Sequence, residues 1–256
     1  MWPWRKRDRG ADSSYRAPDR QVANGLKLCQ KGKLADALPL FEQAAAAYRT
    51  IGEEQTAPED RAVAARRVAN ALRLVGRVRN DLGRYDEATA PGRDAVNLLG
   101  QLAPGQDAAT IARDHPELAA EFAAAAEDLA RSESNLLVVV AKQGLATDER
   151  ATQALQAAHI ALRFRESLVD HDDPTTWPPL ASALLQAGHV ELLLTQESAV
   201  PKITRATGIL LAADDAPLKE RAMQALQLAE RVFSPQLIAA HPVAVDPRRA
   251  LQQPTP

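Results

Sequence analysis

The chain has 256 residues, enough for one large or two small domains, and 46% of them are hydrophobic, which suffices for a continuous core. Only 4% are aromatic, and the abundance of Ala and Leu over aromatic and β-branched residues favours close-packed helices, so the expected class is all-α. A formal net charge of −2 argues against a globally basic nucleic-acid binder, and the single Cys29 excludes an internal disulfide.

No apolar run at the N-terminus is long enough for a signal peptide or a membrane span, so the expected compartment is the cytoplasm. Residues 1–19 mix Trp2, Trp4, Arg5, Lys6, Arg7 and Arg9 with Gly, Ser and Pro without periodicity, and are expected to form a disordered basic tail. Its two tryptophans and four cations could touch a membrane surface or an acidic partner, but hold too little apolar area to anchor there alone.

Regular patterning begins at Gln21. Val22, Leu26 and Leu28 precede a break at Lys31-Gly32, and Leu34, Ala37, Leu38, Phe41, Ala44, Ala45 and Tyr48 mark a second helix. A shift of 51 residues lays this pair on the stretch Arg61 to Leu99: Gly25 falls on Gly76, Gly32 on Gly83, Leu34 on Tyr85, Ala37 on Ala88 and Ala44 on Ala95. The chain repeats itself. The small residues let two helices approach closely, the second glycine ends the first helix, and the large residue two places later fills the corner.

The motif Gly32-Lys-Leu-Ala-Asp-Ala37, repeated as Gly83-Arg-Tyr-Asp-Glu-Ala88, with a glycine seven residues before it and an alanine seven after its last position, resembles the tetratricopeptide repeat (TPR). Phe41 falls where that family places an aromatic residue. Gly92, Leu28 and Arg79 depart from its pattern, and the repeat is longer than the family's usual one; similar stretched repeats occur in bacterial arrays, some fused to signalling ATPases. No Gly-rich Lys-Ser/Thr phosphate loop is present, so an attached ATPase is not implied. The resemblance implies a right-handed α-solenoid of antiparallel helix hairpins, acting as a non-enzymatic scaffold that binds protein in a concave groove.

Downstream, a loop over Pro104 to His115 leads to a long helix, Pro116 to Lys142, closed by Gly144. Ala151, Leu155 and Ala158 recreate the second helix of a third pair. The run Asp170 to Pro179 is a break, since its prolines remove helical donors and its acids suit a helix start. Leu180 to Leu194 and Ile203 to Ala213 give a fourth pair with Pro201 at or just before the first turn of its second helix, and Ala216 to Phe233 a capping helix with Lys219 and Arg221 solvated. About four hairpins and a cap are thus expected over 20–240, followed by a flexible Pro-rich tail over 241–256.

Chemistry has little support. His115, His159, His171, His189 and His241 lie far apart without metal-ligand spacing, the cluster Asp170 to Asp173 lacks the order of a calcium loop, and Cys29 has no base placed beside it by spacing. No catalytic, metal or cofactor residue is expected. The informative signal is charge: between Arg61 and Arg84 there are seven arginines and one acid, Asp81. Arg66, Asn70, Arg73, Arg77, Asn80 and Arg84 recur every three or four residues along about 27 Å of helix, opposite an apolar stripe of Ala64, Val68, Ala71, Val75, Val78 and Leu82.

The resemblance places the groove-facing positions on Asn70, Arg73, Arg77 and Asn80, with Arg66 beside them and Arg131 in the third pair. Arginine forks match carboxylates and Asn can hold a peptide backbone, so the expected partner is a peptide or helix of acidic character. The competing reading is a solvated face, or arginines paired with acids of neighbouring helices. Matching positions offer Val22, Leu26 and Cys29 in the first pair and Arg131, Ser134, Val138 and Ala141 in the third, so the surface is basic in the middle with apolar flanks. A nucleic acid is disfavoured because a phosphate backbone wants charge along its whole path; binding to nucleic acid or an anionic membrane through 61–84 and the Trp/Arg tail is the alternative.

Overall fold

The computed structural model describes residues 13–145, 147–211 and 215–253, and among these every regular element is a helix. Two compact units divide the chain, Met1–Leu102 and Ala103–Pro256.

The first unit contains α1 (Ser13–Gln30), α2 (Leu34–Glu54), α3 (Pro58–Asp81) and α4 (Tyr85–Gln101), each packed on the next. Ser13 to Asp19, expected in the tail, are helical; residues 1–12 lie outside the described residues. The reason is tertiary. Tyr15 is buried, Arg67 of α3 lies over its ring at 4.2 Å, and Asp19 accepts hydrogen bonds from both Arg67 and the Tyr48 hydroxyl. Pro58 opens α3 where its missing N–H costs nothing, followed by Glu59 and Asp60 at the positive end of the helix dipole.

The second unit begins with α5 (Ala108–Asp114), inside the expected loop, whose first turn is held by the Thr110 N–H donating to Asp107 at 2.7 Å. Then come α6 (Pro116–Lys142), α7 (Asp148–Leu168), a 3₁₀ turn over Pro174–Thr176, α8 (Trp177–Leu193), α9 (Ala199–Leu210) and α10 (Ala216–Val232). The first helices α6, α8 and α10 also touch one another, α6 to α8 and α8 to α10. Asp173 caps the 3₁₀ turn through the Thr175 N–H, the helix-start role that its acids suggest.

The C-terminal stretch departs from expectation. It holds α11 (Pro235–Ala240) and α12 (Pro247–Gln252), and α12 packs on α9 with Ala250 and Leu251 buried. Arg205 of α9 donates to the carbonyls of Ala250 and Leu251 at 3.1 and 3.2 Å while its other arm pairs with Glu166 at 2.7 Å. These bonds satisfy a buried guanidinium with backbone from the chain's end, which is why 247–252 are not loose.

One corner recurs in all four hairpins. The N–H of Gly32, Gly83, Gly144 or Thr195 bonds the carbonyl three residues back, and the next N–H bonds the carbonyl five residues back from itself, at 2.8–3.2 Å throughout. This is the Schellman ending, and it requires a left-handed residue: φ is 72°, 76° and 70° at the three glycines and 55° at Thr195. Seven residues before Gly32, Gly83 and Thr195 stand Gly25, Gly76 and Gly188, where the two helices of each hairpin cross. A Cβ there would lie 2.6 Å from the Phe41 ring, 3.0 Å from the Ala88 carbonyl and 2.8 Å from Ile203 Cγ1, respectively.

Two substitutions test this corner. Gly25→Ala is expected to cost about 1–3 kcal/mol by overpacking against a fully buried ring, and a double-mutant cycle with Phe41→Leu in urea should show strong coupling; additive costs would refute the crossing contact. Thr195→Gly is expected to raise stability by roughly 0.5–1 kcal/mol, because left-handed backbone penalises a β-branched residue more than glycine's extra unfolded freedom costs. A destabilised Thr195→Gly protein would contradict the strain.

Candidate binding surface

In the first unit α3 lies between α2 and α4, so most of its circumference is taken. Ala64, Val68, Ala71, Val75 and Val78 are buried as their spacing implies, whereas Leu82 caps the helix end and is 37% exposed. Asn80, expected on the offered face, is buried at 7%. It stands one turn after Gly76 in the same row, and that row faces α4.

The arginines divide. Arg79 donates to Glu42 at 2.8 Å and to the Glu87 carbonyl at 3.0 Å, Arg84 pairs with Glu87, and Arg67 is held by Asp19 and two tyrosine rings. The bonds of Arg79 and Arg67 to Glu42, Glu87 and Asp19 are ties between helices, whereas Arg84–Glu87 lies within the first turn of α4. Arg66 is half-buried and has a partner of its own. Asn70 is exposed and accepts from Arg73 at 3.0 Å, and Arg77, one turn further on, is exposed with no hydrogen-bond or ion-pair partner among the described residues. Cys29 lies within the electrostatic reach of Arg77, but burial, with Asp81, raises its thiol pKa more than Arg77 lowers it.

In the second unit the first helices enclose a pocket of about 530 Å³. Arg131, Ser134 and Asn135 come from α6, Leu185, Gln186 and His189 from α8, and Arg221, Gln224, Ala225 and Leu228 from α10. Within each helix these positions combine one adjacent pair with residues three or four away, so each presents one stripe to the same space. The wall between α6 and α8 is fixed by Gln186 donating to Ser134 Oγ at 3.0 Å, while that hydroxyl donates to the Ala130 carbonyl at 2.7 Å.

The pocket is electropositive. Arg131 meets Asp128 only at 3.5 Å. Arg221 has its pKa pulled down first by withdrawal from water and then by Arg131, against a smaller pull from Asp215. His189 is likewise held below its ordinary 6.5, first by partial withdrawal from water and next by Arg221, although both residues keep exposed surface at the pocket's edge. Of the residues singled out by sequence, the second unit brings Arg131 to this pocket; Arg221, expected to be solvated, is exposed at its edge beside the exposed His189, and the two share a pocket with Arg131 only because α8 lies between α6 and α10.

Among the described residues no group of three or more His, Cys, Asp or Glu side chains is placed to hold a metal ion, and no helix is long and apolar enough to cross a membrane. No protein-family model matches the chain, and no curated protein matches it in sequence. Solved structures do. A Podosopora anserina structure described as putative kinesin light chain nearly identical TPR-like repeats superposes with a TM-score of 0.57 at 14% identity, over 94% of this chain and 97% of that one. The fold is TPR-like. A single-residue variant of that protein gives the same TM-score and identity over 94% of this chain and 96% of its own. At this identity the likeness shows architecture, here an all-α array of helix hairpins.

Arg221→Gln is expected to raise the His189 pKa toward 6.5 without reaching it, since burial, the larger cause, remains. In the folded protein His189 resists the proton that the unfolded chain accepts near pH 6.5, so it opposes folding as pH falls below that value, by an amount its exposure keeps small, and Arg221→Gln should lessen that loss. An NMR titration of the imidazole measures the shift; an unchanged His189 would show that the two side chains do not face each other.

Proposed function

We propose that the chain is a non-enzymatic, cytoplasmic protein-interaction module that holds a peptide or helix of acidic character on the faces of its first helices. The fold class supports a protein partner in general, since TPR-like arrays are scaffolds. The observation that carries the finer reading is the pocket of the second unit, where α6, α8 and α10 each contribute the same kind of face and two arginines enter without an opposing lining carboxylate. In the first unit the corresponding offer is Asn70, Arg73 and Arg77 on α3. Rigid packing of each hairpin fixes these side chains before a partner arrives, which lowers the ordering cost of binding.

Nucleic acid fits this surface less well. Arg67, Arg79 and Arg84 are tied to Asp19, Glu42 and Glu87, so the charge of α3 is not a continuous track for phosphates. On an immobilised random-peptide library, the full chain should enrich sequences carrying Asp or Glu, and the double variant Arg73→Glu, Arg77→Glu should lose the part of that enrichment due to the first unit, with helicity and melting temperature nearly unchanged. No acidic enrichment would refute the module reading; enrichment indifferent to the double variant would remove α3 from the surface.

A further inference from the structure

Of the twelve residues of α9 only Pro201 is not buried, so this helix must be covered on every side. Two of its covers are apolar: α8 crosses it with Gly188 against Ile203, and Ala229 of α10 shares a cluster with its Val200 and Ile203. The third cover is the chain's own end, residues 244–251, and it is of another kind. Of α12 only Ala250 and Leu251 are buried. The polar attachment is one guanidinium: Arg205 donates to the carbonyls of Ala250 and Leu251 at 3.1 and 3.2 Å, in the last turn of α12, where helix carbonyls lack partners of their own.

The seat is shaped for this segment. Gly208, three residues after Arg205 on the same face, is buried, and a Cβ there would lie 2.9 Å from the Ala244 carbonyl oxygen and 3.1 Å from the Ala250 methyl. The seat can also stand open. Arg205 keeps Glu166 at 2.7 Å, and Thr204 and Thr207 donate to the carbonyls of Val200 and Ile203 in their own helix at 3.1 and 2.8 Å, so these groups hold their partners when the segment is gone. The remaining Arg205 donors and the two carbonyls then meet water, which leaves no buried polar group orphaned by the parting. Residues 241–246, which join α11 to α12, carry no regular structure to resist it.

We propose that this face of α9 is a second binding site, which takes the last turn of a short helix carrying a small residue followed by leucine, and that α12 is its resident occupant, displaced by such a helix from a partner protein. The ligand's chemistry is read from the occupant. Arg205 recognises two successive carbonyls of a helix end, Gly208 admits only a small side chain where Ala250 stands, and Leu251, 3% exposed, supplies the apolar anchor. Arg248, Arg249 and Gln252 are exposed and add no requirement. A tethered occupant has a high effective concentration, so an incoming helix succeeds when it fills the seat more tightly than α12 or when α12 is weakened. No residue of α9 or α12 lines the pocket between α6, α8 and α10, so the inference stands apart from the acidic-peptide reading and neither falls with the other.

The probe is a blocked peptide of residues 243–253, added to the isotope-labelled full chain and followed by NMR at the Arg205 Nε–H signal, with amide hydrogen exchange as the second readout. Leu251→Ser weakens the occupant without adding charge beside Arg205. In that variant the amides of α12 are expected to exchange about tenfold faster or more while those of α9 keep their protection, and the peptide to give a saturable shift. The wild-type chain should need about tenfold more peptide or beyond, because its own α12 competes. Arg205→Lys in the Leu251→Ser background keeps a cation beside Glu166 but loses the fork, and should weaken the peptide by about tenfold or more. Gly208→Ala favours the helix itself, yet here it should free α12 and abolish peptide binding. Loss of α9 protection in Leu251→Ser makes α12 part of the core and overturns the proposal. So does the absence of a saturable shift, or a Gly208→Ala chain that keeps both α12 and the peptide. Concentration-dependent dimers of the wild-type chain that vanish in Leu251→Ser overturn the separate partner in favour of a second copy.

Discussion

Two helices can cross closely only where one of them gives up side-chain volume, and this chain is built on that constraint. Gly25 lies against the Phe41 ring, Gly76 against the backbone of α4 and Gly188 against Ile203, each seven residues before a left-handed turn that reverses the chain. The two requirements are coupled. Seven residues is close to two helical turns, so the crossing point and the reversal lie on nearly the same side of the first helix, and the second helix leaves the corner already aimed along its partner. Where the turn glycine is missing, Thr195 accepts the strained conformation, and the same pair of hydrogen bonds survives. The geometry of the corner is more persistent than the residue that makes it easy.

That corner decides what is left for binding. A first helix packed against its own partner and against the preceding hairpin retains a narrow stripe. On α3 the neighbouring Arg67 and Arg79 are drawn into ties between helices and Asn80 is buried, leaving Asn70, Arg73 and Arg77 on the stripe. In the second unit the stripes of α6, α8 and α10 converge on one space, and convergence changes the chemistry. Arg131 and Arg221 face one space there, Arg131 lowering the Arg221 pKa and Arg221 that of His189, while Arg221 and His189 keep exposed surface.

Much of the architecture was legible because it is local. The bounds of α6 follow from Pro116 at its first position and Gly144 just beyond its end, and the two copies in the first unit are visible as a shift of 51 residues. What escaped depends on distant partners. The helicity of Ser13 to Asp19 rests on Tyr48 and Arg67, and α12 rests on Arg205, 45 residues away from Ala250. The fourth corner was blurred because its left-handed residue is a threonine. For the site, Arg131 could be placed by analogy of position, and Arg221, exposed as its pattern implied, shares a pocket with it only through the placing of α8. The burial of Asn80 shows the converse error: a stripe drawn at helical spacing drifts toward α4 near the helix end, in the row of Gly76.

The central claim is that hairpin packing alone sets a preformed acid-reading pocket. A crystal structure of the full chain soaked with an acidic peptide enriched from the library tests it most directly. The account predicts a carboxylate of that peptide within hydrogen-bonding distance of both Arg131 and Arg221, with the backbones of α6, α8 and α10 displaced by less than about 1 Å from their unliganded positions. A peptide seated elsewhere, or one that enters only after those helices have moved apart, would contradict it.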